Sequence, residues 1–363
     1  MNLFKLIKDH IIKSLLHLKI WRMRKAAIRW EKDNWQHMPL EELTSMEKSE
    51  IKNIWSPLKL KINYTYYRLF KTLKVYQANF ISDDLFYPYI LRSLNPDNRY
   101  IPYADKSNYD IIYKGIKQPR IYIKQIKGIL YNGNNEVISA ETANKILKNN
   151  SVFILKESSA SSGGRGVKKF KTEDVSIFNL LENFKNDFVI QEVIKQSPKT
   201  AILNPTSLNC FRISTLFING IVTNCHASLK FGNEGSIVDN VAGGGFMVGV
   251  HDNGQLDEYA YTKKFKKTNK TSQGIELKSI CIPEIKKVID FAKENHMKFL
   301  QQLGYVGWDI ALDENNEPTL IEVNLSYPGV LFEQICLSKP AFADRTEEVI
   351  EFVKNNPPKI HLF

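Results

Sequence analysis

Three oxygen-bearing side chains lie on two apolar runs near the end of the chain. Asp309 is on the first run, and Glu322 and Asn324 are on the second. A short polar segment, residues 313–318, separates the runs and is typical of a β-hairpin turn. Because strand residues alternate between faces, the pattern predicts all three side chains on one face. Two carboxylates and an amide oxygen are ligands suited to Mg²⁺, although a surface hairpin with solvated carboxylates has the same pattern.

A second segment, residues 151–167, has the composition of a phosphate-binding loop. An apolar run ends at Lys156 and is followed by a Ser/Gly-rich stretch, residues 158–166. Glycine allows successive backbone N–H groups to approach an anion, and the lysine adds a mobile positive charge. No Walker pattern and no Gly-x-Gly-x-x-Gly helix start are present. Alone, the stretch is more typical of a flexible linker than of a phosphate site; with the acidic hairpin, it predicts a nucleotide–metal site.

The chain resembles the ATP-grasp superfamily, because these motifs occur in the same order. In that fold, two α+β subdomains clasp ATP under a glycine-rich loop. The resemblance implies that Lys156 contacts the α- and β-phosphates, helped by Lys124 or Lys127 on an earlier strand. It also implies that the adenine amino group meets the backbone between Glu192 and Ile194. The implied ATP contacts are Lys124, Lys156, Ser162, Gly163, Gly164, Arg165, Gly166, Gln191, Glu192, Val193 and Ile194. The implied Mg²⁺ ligands are Asp309, Glu322 and Asn324, with Glu322 bridging two ions.

The middle of the chain is similar to the sugar-transfer-associated ATP-grasp proteins. The similarity rests on residues 205–215 and 229–256 and covers roughly the last two thirds of the chain. Arg212, on an alternating strand, is expected to direct its guanidinium at the γ-phosphate, and it is assigned a catalytic role with Lys230. Lys230 stands where the family often has arginine; it retains the charge but not the two-pronged hydrogen bonding. The substrate contacts are assigned to Asn209, Asp239 and Asn240, although a turn between strands also explains the last two.

The resemblance implies a reaction in which the γ-phosphoryl group passes to a carboxylate and an amine captures the acylphosphate. We therefore expect an ATP- and Mg²⁺-dependent, ADP-forming carboxylate–amine ligase of polysaccharide or glycan biosynthesis or modification. Its partners would be a small-molecule carboxylate and an amine or sugar acceptor. Two alternatives stay open: an ATP-grasp kinase that phosphorylates a hydroxyl acceptor, and a nucleotide-regulated, membrane-associated protein without catalysis.

Composition agrees with a soluble enzyme and excludes several kinds of site. The chain has 363 residues, 43% of them hydrophobic, and a net charge of +11. Its four cysteines are widely spaced and its seven histidines form no zinc motif, which argues against a disulfide framework and zinc chemistry and predicts a reducing cytoplasm. No zinc-finger, leucine-zipper or RNP signature accompanies the positive charge, so nucleic acid is not a predicted partner.

The positive charge is concentrated at the start of the chain, where nine Lys/Arg residues up to Trp35 face only Asp9, Glu31 and Asp33. Apolar residues recur there at helical spacing, with most lysines on the other face. This apolar stripe comprises Phe4, Ile7, Ile11, Leu15 and Leu18. Such a helix either packs on the body of the protein, which we expect, or lies on the inner face of an anionic membrane. Lysines interrupt every apolar run, which excludes a membrane span and disfavours a signal peptide.

These observations predict an α+β protein with the ATP-grasp fold and a helical N-terminal extension. The predicted basic helical region is 1–80 and the predicted ATP-grasp domain is 81–363. Within that domain, a first subdomain (81–195) carries the glycine-rich loop and a C-terminal subdomain (196–363) carries the metal site.

Local patterns predict individual elements as well. Helices are expected over residues 64–80, over 141–148 with Ser139 as the cap, and over 283–303 with proline near the start. A turn-rich passage is expected over residues 86–96.

Overall fold

A computed structural model describes residues 3–159, 166–233, 235, 236, 239 and 241–359, and the side chains of residues 3–9 and 242 are outside this description. Helices dominate the first 112 residues. The long ones are α1 (Leu3–Trp35), α2 (Ser45–Trp55) and α3 (Tyr64–Thr72). Short ones follow: α4 (Asp83–Leu85), a π-helical turn (Phe86–Ile90), α5 (Leu91–Leu94), α6 (Asp97–Ala104) and α7 (Tyr109–Ile112).

Two local expectations for this region are wrong. The helix expected over 64–80 ends at Thr72, because Lys74 adopts a left-handed backbone conformation with φ of 61°. The passage expected to be turn-rich is helical up to Leu94, and it accommodates Pro88 in a widened π-turn that closes from the Leu91 N–H to the Phe86 carbonyl. A proline in such a turn therefore does not break the helical path.

The smaller sheet is antiparallel, with five strands in the order β2–β1–β5–β3–β4. The strands are β1 (Ile121–Ile126), β2 (Ile129–Asn132), β3 (Val152–Glu157), β4 (Lys168–Lys171) and β5 (Phe188–Gln191). Helices α8 (Ala140–Lys148) and α9 (Ile177–Asn183) share one hydrophobic core with it. The predicted cap of α8 is confirmed, since the Ser139 hydroxyl accepts the Thr142 N–H at 3.2 Å.

The larger sheet is also antiparallel, with seven strands in the order β10–β9–β8–β7–β6–β11–β12. The strands are β6 (Cys210–Ile218), β7 (Ile221–Phe231), β8 (Phe246–Val250), β9 (Leu256–Tyr261), β10 (Lys267–Thr268), β11 (Tyr305–Leu312) and β12 (Pro318–Asn324). The remaining helices are α10 (Pro198–Ala201), α11 (Ile285–Phe299), α12 (Leu331–Leu337) and α13 (Thr346–Asn355). The helix expected over 283–303 is α11, which is shorter at both ends.

Both faces of the larger sheet are covered. One core contains Trp308 and Ile310 of β11 with Val288 of α11. The other contains Leu216 of β6 and Tyr305 of β11 together with residues of α1–α5, α12 and α13. The N-terminal helices therefore share a hydrophobic core with the C-terminal half of the chain.

Helix α1 packs on this body, but not through the expected stripe. Ile20 is buried, whereas Ile11, Leu15 and Leu18 are 49%, 40% and 43% exposed. Helical spacing alone does not decide which of two apolar faces packs, because residues on both sides of α1 are apolar. Within the described residues, no helix combines the length and the hydropathy that a bilayer span requires.

Asn95 joins the helical layer to the larger sheet. Its amide N–H groups donate to the carbonyl oxygens of Tyr305 (2.6 Å) and Leu325 (3.0 Å). Its side-chain oxygen accepts the N–H groups of Gly304 and Tyr305, each at 3.0 Å. The buried side chain thus uses both its donors and both its acceptor positions, three of them at the start of β11 and one just after the end of β12.

We expect Asn95→Ala to lower the free energy of unfolding by about 2–4 kcal/mol, because several buried backbone groups lose their partner. Urea denaturation measures the change. Asn98→Ala, on the exposed side of α6, is the matched control and should stay within about 0.5 kcal/mol of the parent protein. Equal effects of the two substitutions would contradict the role given to Asn95.

Candidate active site

The predicted hairpin is confirmed, and it brings its three polar side chains together. Strands β11 and β12 are antiparallel, with Asp309 directly opposite Glu322 and Gly307 opposite Asn324. The Asn324 amide donates to Asp309 Oδ2 at 3.2 Å. At the turn, Asp313 Oδ1 accepts backbone N–H groups two and four residues later, which closes the loop. One face of the hairpin therefore carries two carboxylates and one amide.

Asp309 is buried between two cations from neighbouring strands. Arg212 on β6 is its register partner, with Nε 2.7 Å from Oδ1 and Nη2 3.3 Å from Oδ2. Lys230 on β7 places Nζ 3.1 Å from Oδ2. Burial alone would raise the pKa of Asp309, but Arg212 and Lys230 outweigh it and hold the pKa well below its usual range. The carboxylate is therefore ionised and paired.

The outer side of Arg212 contacts the segment after β12. Its Nη1 donates to the Pro328 carbonyl at 2.6 Å and lies 3.8 Å from Glu333 of α12. A side chain at Gly307 would prevent this arrangement, since a Cβ there would lie 2.5 Å from the Pro328 carbonyl oxygen. Glycine at 307 therefore lets this segment pack on β11 and reach the guanidinium.

Lys124 and Lys156 occupy equivalent positions in the smaller sheet. Both are register partners of Val189 in β5, one from each side, so the two lysines share one face. The opposite face carries Leu155 and Ile190 into the hydrophobic core. Lys124 is buried, and its Nζ lies 2.6 Å from both Asp110 Oδ1 and Asn135 Oδ1.

Lys156 interacts electrostatically with two carboxylates, Glu322 on β12 and Asp239 in the connection between β7 and β8. Burial lowers its pKa, while Glu322 and Asp239 act in the opposite direction and Lys106 adds to the lowering. Asp239 also accepts the Cys210 N–H at 3.0 Å and lies 3.8 Å from Lys230. The lysine face of one sheet and the carboxylate face of the other therefore line a common cleft.

Lys106 belongs to this cleft and was not predicted. It lies in a 3-10 turn (Lys106–Asn108) capped by Asp105, and its Nζ is 2.9 Å from Glu322 Oε1. Its backbone N–H donates to the Ser158 carbonyl at 2.8 Å, beside the Ser/Gly-rich stretch. The only local signal is a capping aspartate, which does not distinguish this lysine from many others in the chain.

The remaining predicted residues divide into four groups. Gln191 ends β5, and Glu192, Val193 and Ile194 form the irregular segment that follows it, where Glu192 pairs with the Arg120 backbone. Asn209 is fully buried, and its amide bonds to Ser207 and to the Thr200 and Asn204 carbonyls, so it holds a loop and does not line the cleft. Gly166 has a positive φ of 85°. Ser162, Gly163, Gly164, Arg165 and Asn240 lie outside the described residues.

A family model described as sugar-transfer associated ATP-grasp matches residues 88–349. The chain belongs to the sugar-transfer associated ATP-grasp family. It accordingly has the ATP-grasp fold, preceded by the helical extension. A search of curated proteins finds no match.

Three solved structures are similar to this family member at low identity. D-alanyl-alanine synthetase A from Vibrio cholerae is 16% identical with a TM-score of 0.39, over 69% of this chain and 63% of that one. The ATP-grasp ligase PsnB with a minimal precursor is 12% identical (TM-score 0.41, 71% and 64%). VanG D-Ala:D-Ser ligase from Enterococcus faecalis is 15% identical (TM-score 0.41, 69% and 61%). The chain spans less than two thirds of the length of each.

Glu333, which lies 3.8 Å from Arg212, has further carboxylates near it that the sequence analysis did not predict. Burial, followed by the charges of Glu333 and Asp84, raises the pKa of Asp83 to about 8. The adjacent Asp84 is also buried but has a cationic partner, since Arg24 of α1 donates to it at 2.7 Å. Asp83 therefore lies near other carboxylates, whereas the adjacent Asp84 is paired with a cation.

We expect Asp83→Asn to stabilise the protein at pH 8 by about 1–3 kcal/mol and to have little effect near pH 4. The folded-state pKa of Asp83 is raised above its ordinary 3.8, so folded protein binds this proton more tightly than unfolded protein does. Stability therefore falls as the pH rises from about 4 to about 8 and is level above that. Asparagine cannot ionise, so the variant should not lose this stability as the pH rises. Thermal unfolding of both proteins between pH 4 and pH 8 measures the difference.

Asp84→Asn is the matched control, because it removes the carboxylate that pairs with Arg24 and should lower stability at both pH values. An Asp83→Asn protein that is no more stable than the parent at pH 8 would contradict the environment assigned to Asp83.

Proposed function

We propose that this chain is an ATP- and Mg²⁺-dependent ligase that joins a carboxylate to an amine through an acylphosphate. We assign it to polysaccharide or glycan biosynthesis or modification in the cytoplasm. The observation that carries the proposal is the cleft charge arrangement: Asp309 lies between Arg212 and Lys230 and opposite Glu322, and lysines of the other wall face these carboxylates.

The phosphates of ATP are assigned to the cationic wall. Lys124 and Lys156 share one face of the smaller sheet, and Lys106 lies beside Lys156. Gly166, with its positive φ, ends the Ser/Gly-rich loop whose backbone N–H groups we assign to the same anion. Cations that are already in place stabilise charge without reorganisation during the reaction, which is the main source of catalysis in phosphoryl transfer.

The metal is assigned to the hairpin. Asp309, Glu322 and Asn324 offer the hard oxygen donors that Mg²⁺ prefers, and we propose that they hold two ions. In the structure Asn324 donates an N–H to Asp309, so ligation requires the amide to present its oxygen instead. Bound Mg²⁺ would supply charge neutralisation on the phosphates and orient the γ-phosphoryl group. Among the described residues no three His, Cys, Asp or Glu side chains form a metal site, so the proposed set depends on the amide.

The cations on the larger sheet are assigned to the transferring group and the carboxylate acceptor. Arg212 is fixed by Asp309 on one side and the Pro328 carbonyl on the other, so its orientation is set before substrate arrives. An oxygen of the acceptor carboxylate forms a bond to the γ-phosphorus as the bond to ADP breaks. The amine then attacks the acyl carbon, releases phosphate and loses a proton. Lys230 and Asp239, together with Asn240, are assigned to this substrate side.

We expect Glu322→Gln to reduce ADP release by about 100-fold or more, because it removes one carboxylate from the proposed metal set and from the ion pair with Lys106. Glu314→Gln, at the exposed turn of the same hairpin, is the matched control and should keep full activity. Coupled ADP detection gives the rate, and calorimetry with ADP and Mg²⁺ gives nucleotide affinity. If Glu322→Gln kept more than half of the parent activity, the assignment of Glu322 would be wrong.

Hydroxylamine distinguishes the proposed ligase from a kinase that phosphorylates a hydroxyl. With ATP, Mg²⁺ and a panel of sugar acids, an acylphosphate is trapped as a hydroxamate, whereas a phosphate ester does not react. We expect hydroxamate formation that depends on both ATP and the acid. A stable phosphorylated product without hydroxamate would favour the kinase. Nucleotide binding without ADP release for any acceptor would favour the non-catalytic alternative.

A further inference from the structure

Helix α1 is fixed on the protein through one face. Ile20 and Trp35 are buried there, and Arg24 donates to Asp84 through Nε at 3.2 Å and Nη2 at 2.7 Å. Lys19 pairs with Asp97, and Asn63 donates to Glu31 at 3.0 Å. These contacts extend from Lys19 to Trp35, and because α1 is one continuous helix they set its rotation about its own axis.

The opposite face of α1 presents an apolar stripe to solvent. The exposed stripe comprises Ile11, Leu15, Leu18 and Trp21, which are 49%, 40%, 43% and 57% exposed. Their spacing of three and four residues makes them neighbours on the helix surface. Trp21 lies ten positions after Ile11, so the stripe is about 15 Å long. It is continuous, unlike singly scattered surface hydrophobics.

Within α1, the charged residues that flank the exposed stripe are all basic. Between residues 10 and 30 the sequence contains no Asp or Glu, and its charged residues are Lys13, Lys19, Arg22, Arg24, Lys25 and Arg29. Lys13, Arg22, Lys25 and Arg29 are exposed, and the Lys25 ammonium lies 5.5 Å from the centre of the Trp21 ring. An aromatic side chain beside cations and aliphatic side chains matches the chemistry of a lipid headgroup region.

We propose that the exposed stripe of α1 binds the surface of a membrane that contains anionic phospholipids, with the helix lying in the interface plane. Leu15, Leu18 and Trp21 would insert into the boundary between the headgroups and the acyl chains. The flanking lysines and arginines would contact the negatively charged headgroups. The stripe does not fold back on the body, because the other face of α1 already occupies that contact. A second copy of the chain is less suited, since pairing two stripes would bring two sets of like charges together.

Vesicle binding of the full-length protein tests this proposal. We expect co-sedimentation with vesicles of phosphatidylglycerol and phosphatidylcholine, little binding to phosphatidylcholine alone, and weaker binding at high salt because the charges are screened. The combined variant Leu15→Ser, Leu18→Ser, Trp21→Ser should bind at least about tenfold more weakly. The matched control removes three exposed apolar side chains from the smaller-sheet unit: Ile129→Ser, Val137→Ser, Phe178→Ser. It should bind like the parent protein.

Trp21 provides a direct readout, because Trp35, Trp55 and Trp308 are almost completely buried and Trp30 is half-buried. We expect a blue shift of tryptophan emission on addition of anionic vesicles, and Trp21→Phe should abolish the shift while most of the binding remains. Thermal unfolding verifies that every variant is folded.

Three results would overturn the proposal. These are no binding of the parent protein to anionic vesicles, equal binding by the stripe variant, and a lipid-independent dimer that the stripe variant converts to monomer. The last result would assign the stripe to a second copy of the chain. Activity with soluble substrates does not enter the test, so its outcome is independent of the proposed ligase function.

Discussion

A buried carboxylate between two cations is the constraint on which the larger sheet depends. An ionised Asp309 without partners would cost several kcal/mol, so the fold must deliver Arg212 and Lys230 to it. These residues come from three strands, and they converge only with the strands in the order β7–β6–β11 and in the observed register. A slip of one residue would turn Asp309 toward the hydrophobic core on the other face. Charge pairing and apolar burial therefore select the same register.

Pairing of opposite charges also connects the two walls of the cleft. Lys106 pairs with Glu322, and Lys156 faces Glu322 and Asp239 across the cleft. Each carboxylate proposed as a metal ligand is thus neutralised by a side-chain cation in the structure. Under the proposed function, Mg²⁺ and the triphosphate would replace these pairings: the ions would take the carboxylates, and the lysines would take the phosphates. Because positive and negative partners exchange together, the cleft's net charge would change little, which avoids burying an isolated charge.

The sequence was informative where a motif is local. Alternating runs around a polar turn predicted the β11–β12 hairpin, and a serine just before a helical segment predicted the cap of α8. Lys106 and its partner Glu322 are more than two hundred positions apart, so no local pattern relates them. Asp83 and Glu333 are equally distant in sequence, and their raised pKa values come from burial that only the assembled fold creates. The roles of the site residues and the domain boundaries stay predictions.

The helical extension is tied to the cleft by packing and by charge. Trp35 and Phe70 share a core with Leu216 and Tyr305, which lie on the strands that carry Arg212 and Asp309. Arg24 of α1 compensates Asp84, next to the uncompensated Asp83. The family match begins at residue 88, after Arg24, Trp35 and Phe70 of the extension. A body without the extension would expose one face of the larger sheet and would lose Arg24, the cation that pairs with the buried Asp84. The extension therefore supports the wall that holds Arg212, whatever surface its outer stripe contacts.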